Sequence, residues 1–329
     1  MIYIETLSHS PFVNLAFEEY FLKSKDLGDE LFLLWQDEPV VVVGRFQNTL
    51  EEINQPFINA HNIPVARRIS GGGAVYHDLG NLCFSFILRD ITPGTLDASL
   101  YIRPVEKALL QLGIPVKVAG RNDLTIDGRK FSGNAMALHK SRLLFHGTLL
   151  FDSDLDMLSQ VLKAPSDTIE SKGIKSVRSK VTNIRPYASS GMDILLFKQA
   201  LKQFFFEDGP QIEYQLTDED LTEIQKLVEN KYRNWDWIFG RNPASKIRSS
   251  YSYAGGKLEI FLELDKGWLT ACHIQGVSLE LADIEDIELR LSNIPYTYQD
   301  VVTALDGIDL KNNLGSISKE ELVRCIMSI

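Results

Sequence analysis

The apolar positions change period several times along the chain, and each change predicts an element. At residues 12–22 (FVNLAFEEYFL), Phe12, Leu15, Ala16 and Tyr20 recur at helical spacing. LFLLW at 31–35 and VVVV at 40–43 are short continuous apolar runs between turn residues, the pattern of strands buried on both faces. Residues 63–69, 74–77 and 82–88 read as strands around a glycine loop. Pro104 followed by VEKALLQLG predicts a helix with proline in its first turn and Gly113 as its stop. Asp127-Gly128 is a hairpin-turn dipeptide between LTI and RKFSGNAMAL, and residues 142–151 form the next strand. Residues 191–206 and 217–232 predict helices, the second opened by Thr217 with acids behind it.

Residues 235–246 (WDWIFGRNPASK) interrupt this pattern with Gly, Asn, Pro and Ser, which marks a domain boundary. Beyond it, strands separated by Gly255-Gly256 and by a Lys266-Gly267 turn lead into a few short helices or strands. The expected organisation is a first domain at 1–240, a linker at 241–246 and a smaller second domain at 247–329.

Charge modifies the picture more than composition does. With 44% apolar and 24% charged residues the chain has an ordinary globular composition. Its 34 basic and 44 acidic residues give a net charge of −10, which disfavours a strong, uniform nucleic-acid binder. The acid is uneven: residues 247–329 carry 7 basic and 13 acidic groups, against 27 and 31 in residues 1–246. The basic groups of the first domain gather at 67–68, 121–130 and 172–185. Three scattered cysteines without a C-x-x-C fit neither a disulfide framework nor a cysteine zinc site. The start lacks a signal-peptide pattern, and no apolar run approaches the roughly 18 residues of a membrane span. The expectation is a cytoplasmic monomer with neither membrane nor nucleic acid as partner.

Arg67-Arg68-Ile69-Ser70-Gly71-Gly72-Gly73 is the most informative stretch. Three consecutive glycines lose much entropy on ordering, but they let the backbone approach a ligand, and successive N–H groups suit an anion. Two arginines just before them add fork-shaped donors for phosphate or carboxylate. The alternative is a flexible turn between strands. No G-K-[ST] follows, so this is not a P-loop, nor is it a dinucleotide fingerprint. Lys130 leaves the hairpin between small residues, either to bridge a carboxylate and a phosphate or simply to meet solvent. His146, inside an apolar strand, and His77, after the loop, each fit a satisfied core group or a catalyst. Asp78 and Asp123 could hold Mg²⁺ with substrate phosphates. Cys83 reads as a small core residue. The basic, acid-free stretch 172–186 reads as a loop, either a solvated surface or a phosphate lid or dock for an acidic partner.

In this order the motifs resemble the lipoate–protein ligase family over nearly the whole chain. They are R-R-x-S-G-G-G-A-V-Y-H-D-L-G-N at 67–81, G-R-N-D at 120–123, G-R-K-x-S-G-N-A at 128–135, H-G-T-L-L at 146–150 and S-V-R-S-K-V-T-N at 176–183. N-L-A-F-E-E and V-V-G-R-F-Q-N near the start support them, and the region after residue 246 resembles the family's C-terminal accessory domain. The resemblance implies an α+β fold. Its parts are a mixed-sheet catalytic domain of the biotin/lipoate ligase type, related to class II aminoacyl-tRNA synthetases, and a small α+β C-terminal domain. It implies ATP-dependent activation of lipoate to lipoyl-AMP with release of pyrophosphate, Mg²⁺ accompanying the ATP. Transfer follows to one lysine of an apo lipoyl domain of a 2-oxoacid dehydrogenase complex or of the glycine-cleavage H protein.

Carried over residue by residue, the resemblance makes Lys130 catalytic, in contact with the lipoyl carbonyl and the α-phosphate. Arg68, Ser70, Gly71, Gly72, Gly73, Ala74, Val75, Tyr76, His77 and Asn81 fall to nucleotide or lipoyl-AMP binding. So do Asn122, Asp123, Ser132, Gly133, Ala135, His146, Gly147, Thr148 and Arg178, with Asp123 also the candidate Mg²⁺ ligand. Octanoyltransferases need a thioester-carrying cysteine, and the first domain offers only Cys83. The G-R-G-R-x-x-x-x-W loop of biotin ligases is absent. A lipoyl or octanoyl transferase or amidotransferase without ATP-dependent activation, and a non-catalytic lipoyl-domain binder, remain the alternatives.

Overall fold

The computed structural model describes residues 1–92, 97–120, 123–162, 169–176, 179–207, 209–253, 256–276, 281–308 and 317–327. By packing, residues 1–45, 63–159 and 176–234 form one compact unit, and residues 46–62, 160–175 and 235–329 form another. The second unit is therefore assembled from three stretches of chain. Residues 235–246, which the sequence presents as a boundary and linker, lie within it. The Thr49 N–H and Oγ1 both donate to Asn242 Oδ1 at 2.9 Å. Among the described residues no helix is long and apolar enough to cross a membrane.

In chain order the strands are β1 (Ile2–Ile4), β2 (Leu31–Trp35), β3 (Val40–Val43), β4 (Val65–Arg67), β5 (Val75–His77), β6 (Asn81–Leu88), β7 (Lys117–Ala119), β8 (Asp123–Ile126), β9 (Arg129–Ser132), β10 (Asn134–His139), β11 (Arg142–Leu150), β12 (Ile169–Ser171), β13 (Ile212–Tyr214), β14 (Ser245–Tyr253), β15 (Gly256–Asp265), β16 (Trp268–Gly276) and β17 (Ile294–Pro295). The first unit centres on a six-stranded mixed sheet in the order β10-β11-β6-β2-β1-β13. Its β1 runs parallel to β2 and β13, and the remaining neighbours are antiparallel. Two three-stranded sheets, β4-β3-β5 and β7-β8-β9, complete it. The apolar runs of β2 and β3 are buried at every residue, as their composition requires. Helices Ala98–Gln111 and Ile194–Phe205 contribute Ile102, Val105, Phe197 and Leu201 to a core shared with Phe32, Phe84 and Phe145. In the second unit, β12-β14-β15-β16-β17 form one sheet, with Leu50 and Ile169 in its core beside Ile247, Leu262 and Leu322.

Three elements differ from the sequence expectation. Pro104 lies inside the helix Ala98–Gln111, not in its first turn, because the Asp97 side chain caps an earlier start by accepting from Ser99 N–H. The carbonyl that a proline leaves without its N–H belongs to Leu100, which is 57% exposed and open to water. The run RKFSGNAMAL is divided at Gly133 between β9 and β10, which belong to different sheets. The helix expected at 217–232 is α-helical over Asp218–Leu227 and then widens into a π turn at Val228–Tyr232. The hairpin at Asp127-Gly128 is as expected, both residues taking positive φ (51° and 72°).

The N-terminal helix Pro11–Lys23 agrees with the helical spacing of its apolar residues. Every residue from Asn14 to Leu22 is buried, including Asn14, Glu18 and Glu19, so these polar groups must all be paired inside. Asp220 shows how a neighbouring element does this. It accepts from Tyr20 Oη (2.6 Å), Tyr214 Oη (2.7 Å) and both Thr217 N and Oγ1 (2.9 Å each), with Lys25 Nζ at 3.1 Å. Burial would raise this carboxyl, but the hydrogen bonds from Tyr20, Tyr214 and Thr217 outweigh it and hold it well below the usual range. A depressed carboxyl stabilises the fold above its unfolded pKa of about 4 and loses that contribution as pH falls. Asp220→Asn is expected to cost about 2 kcal/mol at neutral pH, a difference that shrinks as the solution is taken toward pH ~2. Urea midpoints at the two pH values measure it.

Candidate active site

Strand order creates the glycine loop. Because β4 and β5 flank β3 on opposite sides, the chain from one to the other must cross the end of β3. It crosses over Gly44, where a Cβ would fall 2.2 Å from the Gly72 carbonyl oxygen. Gly72 itself takes a positive φ of 91°, which an L side chain rarely adopts. Arg45 N–H donates to Ser70 O (2.8 Å) and Ala74 N–H to Ser176 Oγ (2.8 Å), tying the loop to its neighbours at both ends.

The two arginines expected to present forks to an anion are buried, Arg67 at 0% and Arg68 at 6% exposure. Arg67 Nη1 donates to Gly44 O (3.0 Å) and Arg45 O (3.2 Å). Arg68 Nη2 bridges Gly71 O and Gly73 O at 2.7 Å each, Nη1 reaches Val42 O (3.2 Å), and Nε donates to Ser70 Oγ (3.0 Å). Burial lowers both guanidinium groups to about 10, so they remain cations at neutral pH. Arg68 thus shapes the loop by holding its carbonyls. The chain of bonds continues from Ser70 Oγ to His146 Nε2 (2.6 Å), and from His146 Nδ1 to Glu18 Oε1 (2.8 Å). At the far end of β5, where it pairs with Val40, His77 Nδ1 meets Asp37 Oδ2 (2.8 Å), and Asn14 Nδ2 donates to Asp37 Oδ1 (2.8 Å). Both histidines are therefore satisfied buried groups.

Lys130 is held differently. Its N–H donates to Lys180 O (2.8 Å) and its carbonyl accepts from Thr182 N–H (2.9 Å), so the basic stretch expected to be a loop pairs with β9 at this point. Its side chain passes Gly133, where a Cβ would come within 3.1 Å of Cε and 3.2 Å of Nζ. The ammonium pairs with Asp123 Oδ1 at 2.9 Å, and the two side chains remain 27% and 35% exposed.

The structure brings several other expected residues to this place. Ala135 and Asn134 lie opposite His146 and Gly147 across β10 and β11, and the Ala135 Cβ would sit 3.8 Å from a Cβ on Gly72. Gly133 and Thr148 exchange backbone and hydroxyl hydrogen bonds, and the buried Ser132 accepts from Asn134 Nδ2 (3.3 Å). Val75 and Tyr76 pair with Val42 and Val41, and burial, with Asp78 and Asp154 nearby, pushes the Tyr76 phenol up to about 12. The buried Asn81 donates to Cys83 Sγ (3.2 Å). Asp78 accepts from the backbone N–H groups of Gly80 (2.9 Å) and Asp154 (2.8 Å), the work of a turn. Among the described residues no three His, Cys, Asp or Glu side chains gather to hold a metal ion. Asn122 and Arg178 lie outside the described residues. The sequence reading assigned no role to Asn14, Glu18, Asp37 or Ser176. Asn14 and Glu18 did leave a trace: two polar residues four apart in a largely apolar helix that also holds Glu19.

The lipoyl protein ligase A/B catalytic domain model matches residues 10–206, and the bacterial lipoate protein ligase C-terminus model matches residues 242–326. The chain is 40% identical over 330 residues to the lipoate-protein ligase LplJ of Bacillus subtilis, covering 99% of this chain and 100% of that one. Among solved structures it is similar to a bi-partite lipoate protein ligase from Thermoplasma acidophilum, studied with its E2 lipoyl domain, at 28% identity and a TM-score of 0.60. That match covers 72% of this chain and 95% of the other. It is similar also to a lipoate-protein ligase A bound with ATP, at 27% identity and a TM-score of 0.59, covering 72% and 96%. The mixed α+β fold is therefore that of an enzyme, and the chain belongs to the lipoate–protein ligase family.

Proposed function

We infer that this protein uses ATP to activate lipoate as lipoyl-AMP and then passes the lipoyl group to a lysine of an acceptor protein. The observation that carries the reading is Lys130: a partly exposed ammonium paired with Asp123, its side chain passing Gly133 and its backbone N–H and carbonyl both bonded to residues 180 and 182. In the first step a lipoate oxygen attacks the α-phosphorus, a C–O–P bond forms, the α–β phosphoanhydride breaks and pyrophosphate leaves. Two anions must meet, which a fixed cation favours. In the second step the acceptor amine attacks the acyl carbon, negative charge grows on the carbonyl oxygen, and AMP departs. Lys130 can stabilise that oxygen without moving its backbone. Mg²⁺ usually binds through one or two carboxylates together with substrate phosphates, and Asp123, next to Lys130, is the carboxylate suited to that.

A cysteine-based transfer without ATP has little support. Cys83, Cys272 and Cys325 are all buried, and burial pushes each thiol up, away from the thiolate that a thioester needs. The acceptor chemistry favoured is a lipoyl domain, the class studied with the archaeal relative.

Incubation with ATP, Mg²⁺, lipoate and apo lipoyl domains is expected to release pyrophosphate and add the lipoyl mass to one acceptor lysine; no pyrophosphate would sink the reading. Lys130→Ala is expected to lose at least one half-reaction by roughly a hundredfold, the value of a single transition-state donor worth about 3 kcal/mol. Gly44→Ala, which forces Gly72 to move, is expected to raise the KM for ATP about tenfold with a smaller change in kcat; steady-state pyrophosphate release reads both.

A further inference from the structure

Arg45 and Ser176 each grip the glycine loop, and each leads directly into one small clasp. Arg45 N–H donates to Ser70 O, and Ser176 Oγ accepts from Ala74 N–H, both at 2.8 Å. Ser176 also packs on Gly73, where a Cβ would fall 2.9 Å from its Oγ. The chain just after Arg45 and the chain just before Ser176 run side by side. Ile174 N–H donates to Phe46 O (3.2 Å), and a Cβ on Gly173 would lie 2.9 Å from the Asn48 nitrogen. Residue 46 meets 174 and residue 48 meets 173, so the two segments are antiparallel.

Apolar burial contributes little to closing this clasp, since Phe46 and Ile174 are both half-exposed. The fastening is polar and begins at Ser171. Its Oγ accepts from Gly173 N–H (3.0 Å), a turn across two residues that sets Gly173 against Asn48. A hydroxyl has one proton to give, and Ser171 gives it to Glu51 Oε2. The carboxylate therefore fixes where the Ser171 lone pairs point, and with them the turn. Glu51 stands in the short helix Thr49–Glu52, whose N-cap is Asn48, so the carboxylate and the Asn48 backbone belong to one piece of chain. Asn242 holds that piece by accepting from Thr49 N–H and Oγ1. The second Glu51 oxygen has Lys175 Nζ at 3.4 Å, a long ion pair to a half-exposed lysine and a weak one. The bond from Ser171 to a carboxylate whose side chain is 7% exposed is the stronger fastening. The far end of the same basic stretch is held otherwise: residues 180 and 182 bond the Lys130 backbone, and Ile184 N–H reaches Leu150 O (2.7 Å).

We propose that Glu51 is a positioning residue for the ligation reaction: through Ser171 it closes the clasp of residues 46–48 and 173–175, and so keeps Arg45 and Ser176 on the glycine loop. Opening the clasp frees the start of the basic stretch and leaves its far end on Lys130. The loss then falls on binding of an anionic substrate more than on the chemistry at Lys130. The role in ligation rests on the ligase reading; the closing of the clasp does not.

Hydrogen exchange of the substrate-free protein reads the clasp. The Ile174 and Ala74 amides report on it through Phe46 O and Ser176 Oγ, and the helix Ile194–Phe205 reports on global opening. Glu51→Ala and Ser171→Ala are expected to speed exchange at both amides about tenfold relative to that helix, a change of about 1.4 kcal/mol in local opening. Gly173→Ala keeps every hydrogen-bonding group but drives residue 173 off the Asn48 backbone, and is expected to do the same. Glu51→Gln retains an oxygen for the Ser171 proton and is expected to stay within about threefold of wild type. The three alanine variants should each raise the KM for ATP in pyrophosphate release about fivefold and lower kcat by less than about twofold. The Glu51→Ala, Ser171→Ala double variant should be no worse than the worse single one. Unchanged exchange at both amides, effects that multiply in the double variant, or no recovery in Glu51→Gln would overturn the proposal. Should Glu51→Ala not fold, Ser171→Ala and Gly173→Ala carry the same test. A wild-type protein that releases no pyrophosphate would count against the ligase reading alone, since exchange is read without substrate.

Discussion

A buried guanidinium, Arg68, governs the shape of the active-site region. A cation at 6% exposure must be compensated inside the fold, and here the compensation consists of loop carbonyls, a serine and, through one histidine, a carboxylate. Each partner imposes a further requirement. The loop must turn its carbonyls inward, which needs positive φ at Gly72. It must cross β3 closely, which needs a bare Gly44. The helix Pro11–Lys23 must carry a carboxylate into an apolar interior, which that interior tolerates only because Ser85 and His146 both donate to it. The Gly71 and Gly73 carbonyls both bond Arg68, so the loop backbone is tied to this cation at two points.

Lys130 follows the opposite design. Its charge stays partly in water and is free to change partners, while its backbone is gripped on both sides by residues 180 and 182. The two cations thus differ in setting: Arg68 is enclosed and bonded to the loop carbonyls, whereas Lys130 is partly exposed and paired with Asp123.

Much of this could be read from residue pattern. Continuous apolar runs revealed β2 and β3, and a turn dipeptide revealed the β8–β9 hairpin. The rest depended on geometry that period and composition do not encode. Two arginines beside a glycine loop look like anion ligands, and burial adds that both also bond the backbone carbonyls around that loop. Asn14 and Glu18 are enclosed, and their partners are distant in the chain, His146 over a hundred residues away from Glu18. Pro104 looked like a helix start because proline favours first turns, yet a capping aspartate seven residues earlier outweighed that preference. The makeup of the second unit was hidden for a related reason: β12 finds its place only once β14 exists to pair with it.

That last pairing sets a timetable for synthesis. Leu50 and Ile169 leave the ribosome long before Leu262 and Leu322, the apolar groups with which they share a core. At roughly 5–20 residues per second, more than 200 residues separate Leu50 from Leu262, a wait of about 10–40 s. Throughout it the nascent chain carries uncovered apolar surface and a short strand with no neighbour. The last third of the chain therefore acts as a folding partner for segments made much earlier, and premature termination there leaves them exposed to aggregation and proteolysis.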